Sequence, residues 1–265
     1  SFDLGILLTN SFSSAWCFWQ GGVKKRVGFG YGLRRLLLNY SVVPPKDKLK
    51  AHHVDVYKRL LEPLGIHPSE TKPRLFIDPS EKVAAEQLLL QMGYQLGKTL
   101  IGINPGAAYG SAKCWPPERF RELAKGLANT ADHCVVFFGD PSQSQLIRKI
   151  CRGLPENVIN LSGATNLREL MAVIQRCDLF ITNDSGPMHI AAAFDVPLIA
   201  FFGSTDDQLT GPYKTKNSEI INKRTSCSPC FKRTCPIDFR CMNEISVEET
   251  LQLAKKKLNE RNAHV

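Results

Sequence analysis

Asn183, Asp184, Ser185 and Gly186 form a polar turn between an apolar stretch and a small-residue helix, within CDLFITNDSGPMHIAAA from Cys177 to Ala193. Pro187 stands where a helix favours its first residue. The unpaired N–H groups of such a helix start attract phosphate. Asp184 would repel the same anion, so an acid there is better placed for a sugar hydroxyl. Its alternative is to cap the following helix.

Two further loops carry complementary groups. One holds Gly106, Ser111 and Lys113; the other holds Gly203, Ser204 and Thr205. Glycines let backbone approach a ligand, hydroxyls donate to phosphate oxygens, and Lys113 supplies a cation. Taken singly, each has a bland reading. Lys113 reads as a solvated surface lysine, His189 as a core histidine bonded to a carbonyl, and Gly203 to Thr205 as an ordinary turn. Together they describe a diphosphate cradle. There is no GxxxxGK[ST] and no GxGxxG after a first strand, which counts against kinase, ATPase and dehydrogenase chemistry.

Cys227, Cys230, Cys235 and Cys241 follow as CSPCFKRTCPIDFRC. Four thiolates at this spacing suit tetrahedral zinc, yet no second CxxC completes the usual ribbon. Free thiols or a labile disulfide in a surface loop fit equally.

Strands alternating with helices must position these loops. From residue 99 the sequence runs TLIGIN, a helix from Pro116, CVVFFG, a helix from Ser144, VINL, a helix from Asn166, DLFITN, MHIAAAF and PLIAFFG. That order predicts a parallel sheet covered by helices on both faces, with ligands outside the carboxyl ends of its strands. Ser246 and Glu249 make a capping-box pattern opening a last helix over 247–260. Ahead of residue 95 a first region shows a strand over 3–8, a helix from SSAWCFWQ, a strand over 27–29, a leucine run over 33–40, the linker SVVPPKDK and helices over 52–64 and 81–92. The expected domains are 1–95 and 96–265.

The 265 residues are 43% hydrophobic, enough for a sizeable core. No apolar run approaches the ~18 residues of a membrane-spanning helix. Nine cysteines scattered through an α/β pattern fit a reducing cytoplasm. Net charge is +9, and residues 1–60 hold ten basic against three acidic residues. Such a face favours an anionic partner: nucleic acid, a phospholipid surface or a phosphorylated glycolipid. Few aromatics interleave the basic run, which disfavours nucleic acid.

The blocks LLTNSFSSAW, KRVGFGYGLR, NPGAAYGSAKCWPPERF, NDSGPMHIAAAFDVPLIAFFGSTD and CSPCFKRTCP resemble the lipopolysaccharide heptosyltransferases of glycosyltransferase family 9. The resemblance implies a GT-B architecture, two Rossmann-like domains facing across a cleft, the first incomplete in this chain. It implies inverting transfer of L-glycero-D-manno-heptose from ADP-heptose to the first heptose of the inner core on a heptosyl-Kdo2-lipid A acceptor, without cofactor or catalytic metal. Another family 9 transfer, or a non-catalytic nucleotide-binding fragment, is the alternative. On the family pattern Lys113 and Ser111 hold the diphosphate, and Asp184, Ser185, Gly186, Met188 and His189 line the sugar and nucleotide pocket; Lys113 and Asp184 are the expected catalytic residues, and Gly106, Gly203, Ser204 and Thr205 of the loops join the expected donor site. Asn10, Ser11, Lys24 and Arg26 are expected on the acceptor. The general base belongs to an earlier strand–loop–helix of the family, so the chain is expected to start inside the first domain, and Asp3 is not matched to that base. The implied location is the cytoplasm of a Gram-negative bacterium, peripheral on the inner membrane.

Overall fold

Apolar strands and amphipathic helices alternate as the sequence predicts in a computed structural model that describes residues 2–44 and 51–262. Residues 45–48 of the expected linker lie outside the described residues. The chain forms two compact units, Ser1–Thr71 with Gln208–Thr210, and Lys72–Asp207 with Gly211–Val265. The division falls after Thr71, whereas the sequence led us to expect it after residue 95. Helix α3 (Pro79–Gln91) accounts for the difference. It buries Ala85 and Leu89 in a core shared with the second sheet.

The first unit contains β1 (Leu4–Leu7), α1 (Phe12–Gln20), β2 (Lys25–Phe29), a 3-10 turn (Gly32–Leu37), β3 (Tyr40–Val42) and α2 (His53–Lys58), which continues as 3-10 turns over Arg59–Leu64. Its strands pair in parallel in the order β1-β2-β3. Val27 and Phe29 of β2 pack with Val56 and Leu60.

The second unit carries β4 (Thr99–Asn104), α4 (Pro117–Ala128), β5 (His133–Phe137), α5 (Ser144–Cys151), β6 (Val158–Asn160), α6 (Leu167–Arg176), β7 (Leu179–Asn183), α7 (Gly186–Ala193), β8 (Leu198–Phe202), β9 (Ser218–Asn222), α9 (Arg240–Asn243) and α10 (Val247–Asn262), while a short α8 (Asp207–Thr210) between β8 and β9 lies in the first unit from Gln208 onward. All six strands run parallel in the order β6-β5-β4-β7-β8-β9. Strand β9, SEIIN, is an edge strand to which the sequence reading assigned no element. Only Ile221 of its five residues is buried, so it lacks the apolar run that marks its neighbours.

Successive residues of the central strands point to opposite faces and bury in separate cores. Leu100 and Phe180 pack with α6 and α7, while Ile101, Ile103, Leu179 and Ile181 pack with α4 and α10. Gly102 has no room for a side chain, since an added Cβ would sit 2.6 Å from the Phe180 ring. The order reverses direction at β4 and β7: from β4 the chain winds outward to β6, and from β7 outward to β9. A crevice opens at such a switch, outside the carboxyl ends of the two strands.

Candidate functional site

Both strands at the switch end in asparagine, and these two side chains tie the loops together. Asn104 Nδ2 donates to Gly106 O at 3.1 Å, Thr182 Oγ1 at 3.2 Å and Ser185 Oγ at 3.1 Å. Asn183 is fully buried. Its Nδ2 donates to Pro105 O at 2.7 Å, and its Oδ1 accepts from Trp115 N at 3.0 Å. The donors of Asn104 and the doubly satisfied amide of Asn183 fix the loop after β4 against the turn after β7. The sequence reading placed Asn183 in the turn and gave neither asparagine a part in joining the loops. The signal was available: polar residues close two otherwise apolar strands at the same edge.

Trp115 anchors the far end of the β4 loop. It is 1% exposed, donates Nε1–H to Ile245 O at 3.0 Å and meets Phe120 edge to face at 5.0 Å. Between the two anchors a 3-10 turn, Ser111–Lys113, carries the lysine inward.

Lys113 Nζ donates to Asp184 Oδ2 at 2.5 Å, and Thr205 Oγ1 donates to the same oxygen at 2.6 Å. Lysine and aspartate side chains are 12% and 4% exposed. Lys113 also lies over the Tyr109 ring, 4.7 Å from its centre. One residue from each of the three loops therefore meets at one carboxylate. The surface-lysine reading of Lys113 and the helix-cap reading of Asp184 both give way: Ser185 is the cap residue of α7, and the aspartate faces the lysine. Its Oδ1 takes no bond from the described residues.

Other expected residues spread around this point. Ser185 Oγ is engaged by Asn104 and lies 3.0 Å from Thr182 Oγ1. Gly186, the first residue of α7, is exposed, with open space around its Cβ position. Ser111 and His189 are exposed, which sets aside the core-histidine reading. Met188 is fully buried beneath α7 in the core with Phe180 and Phe202, so its side chain is not offered to a ligand here. Ser204 is 1% exposed, and its Oγ finds no hydrogen-bond partner among the described residues.

Beside the pair lies a cavity of about 390 Å³ lined by Asn104, Gly106, Phe138, Gln143, Leu170, Ser185 and Gly186. Its apolar floor and backbone rim suit a flat ring with a polar edge. Gln143, Phe138 and Leu170 were not anticipated, because they come from the neighbouring β5 edge and α6.

The cysteine segment packs over these loops. Phe231 N donates to Ser204 O at 2.7 Å, Tyr109 Oη to Phe231 O at 2.7 Å and Ala112 N to Arg233 O at 3.0 Å. Ser228 Oγ donates to Gly203 O. Gly203 leaves room for Cys241, whose sulfur would stand 2.8 Å from an added Cβ. Burial, and then the neighbouring Cys227, Cys235 and Cys230, push the Cys241 thiol up. All nine cysteines are free thiols, and among the described residues no group of three or more His, Cys, Asp or Glu is arranged to hold a metal ion.

In the first unit the four expected acceptor residues do not converge. Asn10 and Ser11 follow the carboxyl end of β1, but Lys24 and Arg26 lie at the amino end of β2, and parallel pairing puts these at opposite edges. Lys24 pairs with Asp3 at 2.8 Å. Arg26 donates Nε–H to Leu37 O at 2.6 Å and also bonds Val23 O, ligating backbone instead of facing a ligand.

The signature of glycosyltransferase family 9 (heptosyltransferase) matches residues 1–239. The chain is 36% identical over 173 residues to lipooligosaccharide heptosyltransferase 2 of Campylobacter jejuni, covering 64% of this chain and 53% of that protein. It is 33% identical over 227 residues to the Haemophilus influenzae protein of the same name, covering 83% and 65%. The solved structure of Escherichia coli ADP-heptose lipopolysaccharide heptosyltransferase II superposes with TM-score 0.83 at 27% identity, over 98% of this chain and 77% of that one. The chain thus spans between half and two thirds of the length of these curated relatives. The α/β class expected from the sequence, with parallel sheets of the GT-B heptosyltransferase kind, is borne out.

Proposed function

The chain belongs to glycosyltransferase family 9, the heptosyltransferases, and we propose that it carries the donor site of a heptosyltransferase II. The reaction is inverting transfer of L-glycero-D-manno-heptose from ADP-heptose to the first heptose of the lipopolysaccharide inner core. The observation that carries the reading is the meeting of Lys113, Asp184 and the open N-terminus of α7 at the sheet's switch point.

As the glycosidic bond breaks, negative charge grows on the departing diphosphate and positive charge on the sugar ring. N–H dipoles of α7 and the Lys113 ammonium are fixed before reaction, and such preorganised groups stabilise developing charge without reorganisation. In the free protein Asp184 neutralises the lysine. A bound diphosphate would share that ammonium, leaving Asp184 Oδ1 to accept from a heptose hydroxyl. The adenine ring fits the neighbouring cavity. Ser111 and His189, exposed at the mouth, are the further donor contacts of this reading.

Acceptor and location are also proposals. The acceptor's phosphates meet the basic first unit, and the protein sits peripherally on the cytoplasmic face of the inner membrane. Two things support this: the charge of residues 1–60, and the fact that among the described residues no helix is long and apolar enough to cross a membrane. Calorimetry with ADP and ADP-heptose tests the donor site. Micromolar binding abolished by excess ADP supports it, and a folded chain giving no heat at millimolar ADP removes it. Sedimentation with anionic vesicles tests the membrane contact.

A further inference from the structure

Lys113 stands in the proposed donor site with its charge already balanced. Its ammonium is bonded to Asp184, so lysine and aspartate together carry no net charge in the free protein. The diphosphate of a nucleotide sugar bears a negative charge on each phosphate and gains another as the glycosidic bond breaks. Developing charge is stabilised by cations and dipoles fixed in advance, and a neutral pair beside a helix start leaves this diphosphate short of a cation.

The cysteine segment brings one. Arg233 lies over the Tyr109 ring, 5.4 Å from its centre, and Lys113 lies over the same ring at 4.7 Å. One tyrosine therefore spaces a guanidinium and an ammonium on the loop after β4. The Arg233 side chain is exposed, and no carboxylate pairs with it among the described residues. Its backbone, by contrast, is tied down. Arg233 O accepts at 3.0 Å from the N–H of Ala112, inside the 3-10 turn that carries Lys113. Two residues earlier Phe231 is held on both sides, its N–H donating to Ser204 O and its carbonyl accepting from Tyr109 Oη, each at 2.7 Å. Phe231 has φ 55, a left-handed conformation that a bulky residue keeps only where its surroundings impose it. These bonds fasten the stretch before Arg233 to two of the three loops that meet at Asp184.

We infer that Arg233 is a second diphosphate-binding cation of the donor site, carried in by the cysteine segment and positioned by Tyr109. This rests on the donor-site reading above. Lys113 must be shared away from Asp184 before it serves a phosphate, whereas Arg233 arrives without a counter-ion. Its planar fork suits two oxygens of one phosphate, and the tyrosine face orients it for that contact.

Calorimetry of the 265-residue chain with ADP and with adenosine tests this. The parent should bind ADP more tightly than adenosine. Arg233→Gln should lose about tenfold in ADP affinity while its adenosine affinity and melting temperature stay parental, because the exposed side chain holds neither the base nor the fold. Arg233→Lys should recover part of the loss. Lys232→Gln, which removes an equal charge one residue away, should bind ADP as the parent does. Added salt should weaken ADP binding less steeply in Arg233→Gln than in the parent. Parental ADP affinity in Arg233→Gln overturns the proposal, as does an equal loss toward adenosine or an equal loss in Lys232→Gln. A folded parent that gives no heat with ADP removes the donor site and this proposal with it, a result distinct from a site that binds ADP without needing Arg233.

Discussion

Lys113 and Asp184, 71 residues apart in sequence, close a 2.5 Å ion pair between the loops that leave the two strands at the switch point. Because both side chains are largely buried, the pair serves the fold as well as any ligand. Lys113→Ala leaves Asp184 with Thr205 as its remaining partner, and breaking one side of a buried pair costs about 3–5 kcal/mol. Urea unfolding should show a loss in that range, with Lys113→Ala and Asp184→Ala together costing clearly less than their sum. ADP affinity should fall about tenfold or more in Lys113→Ala. An unchanged ADP affinity would detach the lysine from the donor.

Asn183 supports the pair from beneath. Asn183→Ala orphans Trp115 N and Pro105 O in a dry interior, at about 1–3 kcal/mol for each group. We expect a lower urea midpoint and weaker ADP binding, although Asn183 touches no ligand. Asn183→Ala with parental stability would show that the β4 loop is held some other way.

Gly110 has φ +154, and an added Cβ would fall 2.2 Å from Arg233 O. Gly110→Ala should therefore push the cysteine segment off the β4 loop, at a cost of about 1–3 kcal/mol. Mass spectrometry after brief alkylation should show faster labelling of Cys230 and Cys235 than in the parent.

Burial sorts the remaining thiols. It pushes Cys134 and Cys151 up to about 11, and Cys177 further still. At pH 8 the first two are thiolate to about one part in a thousand. Iodoacetamide should reach exposed Cys17 long before these three in the native protein, and all equally in urea.

Glu81 opens α3 and is gripped by Arg168, whose Nε and Nη2 donate to its two oxygens at 2.6 and 2.5 Å, while Asp78 N donates at 2.8 Å. The Arg168 bonds, then the Asp78 bond, hold its carboxyl below 4.5. A depressed folded value means stability that is fully present above the unfolded value and lost as pH falls through the folded one. The urea midpoints of the parent and Glu81→Gln should differ at neutral pH and converge on acidification below 4.5. A gap that persists in acid would exclude the ion pair as its source.

Local pattern was enough to reveal the second unit's parallel sheet, its helix starts and the three loops at one edge. Apolar runs, caps and turn residues act over a few positions and are written in order along the chain. Strand β9 escaped because a half-exposed edge strand carries little of that pattern. Partnership through space is a different matter. That Lys113 faces Asp184 and that Lys24 and Arg26 stand at the opposite edge from Asn10 both follow from strand order and burial. These fix distances between residues that sequence spacing leaves free.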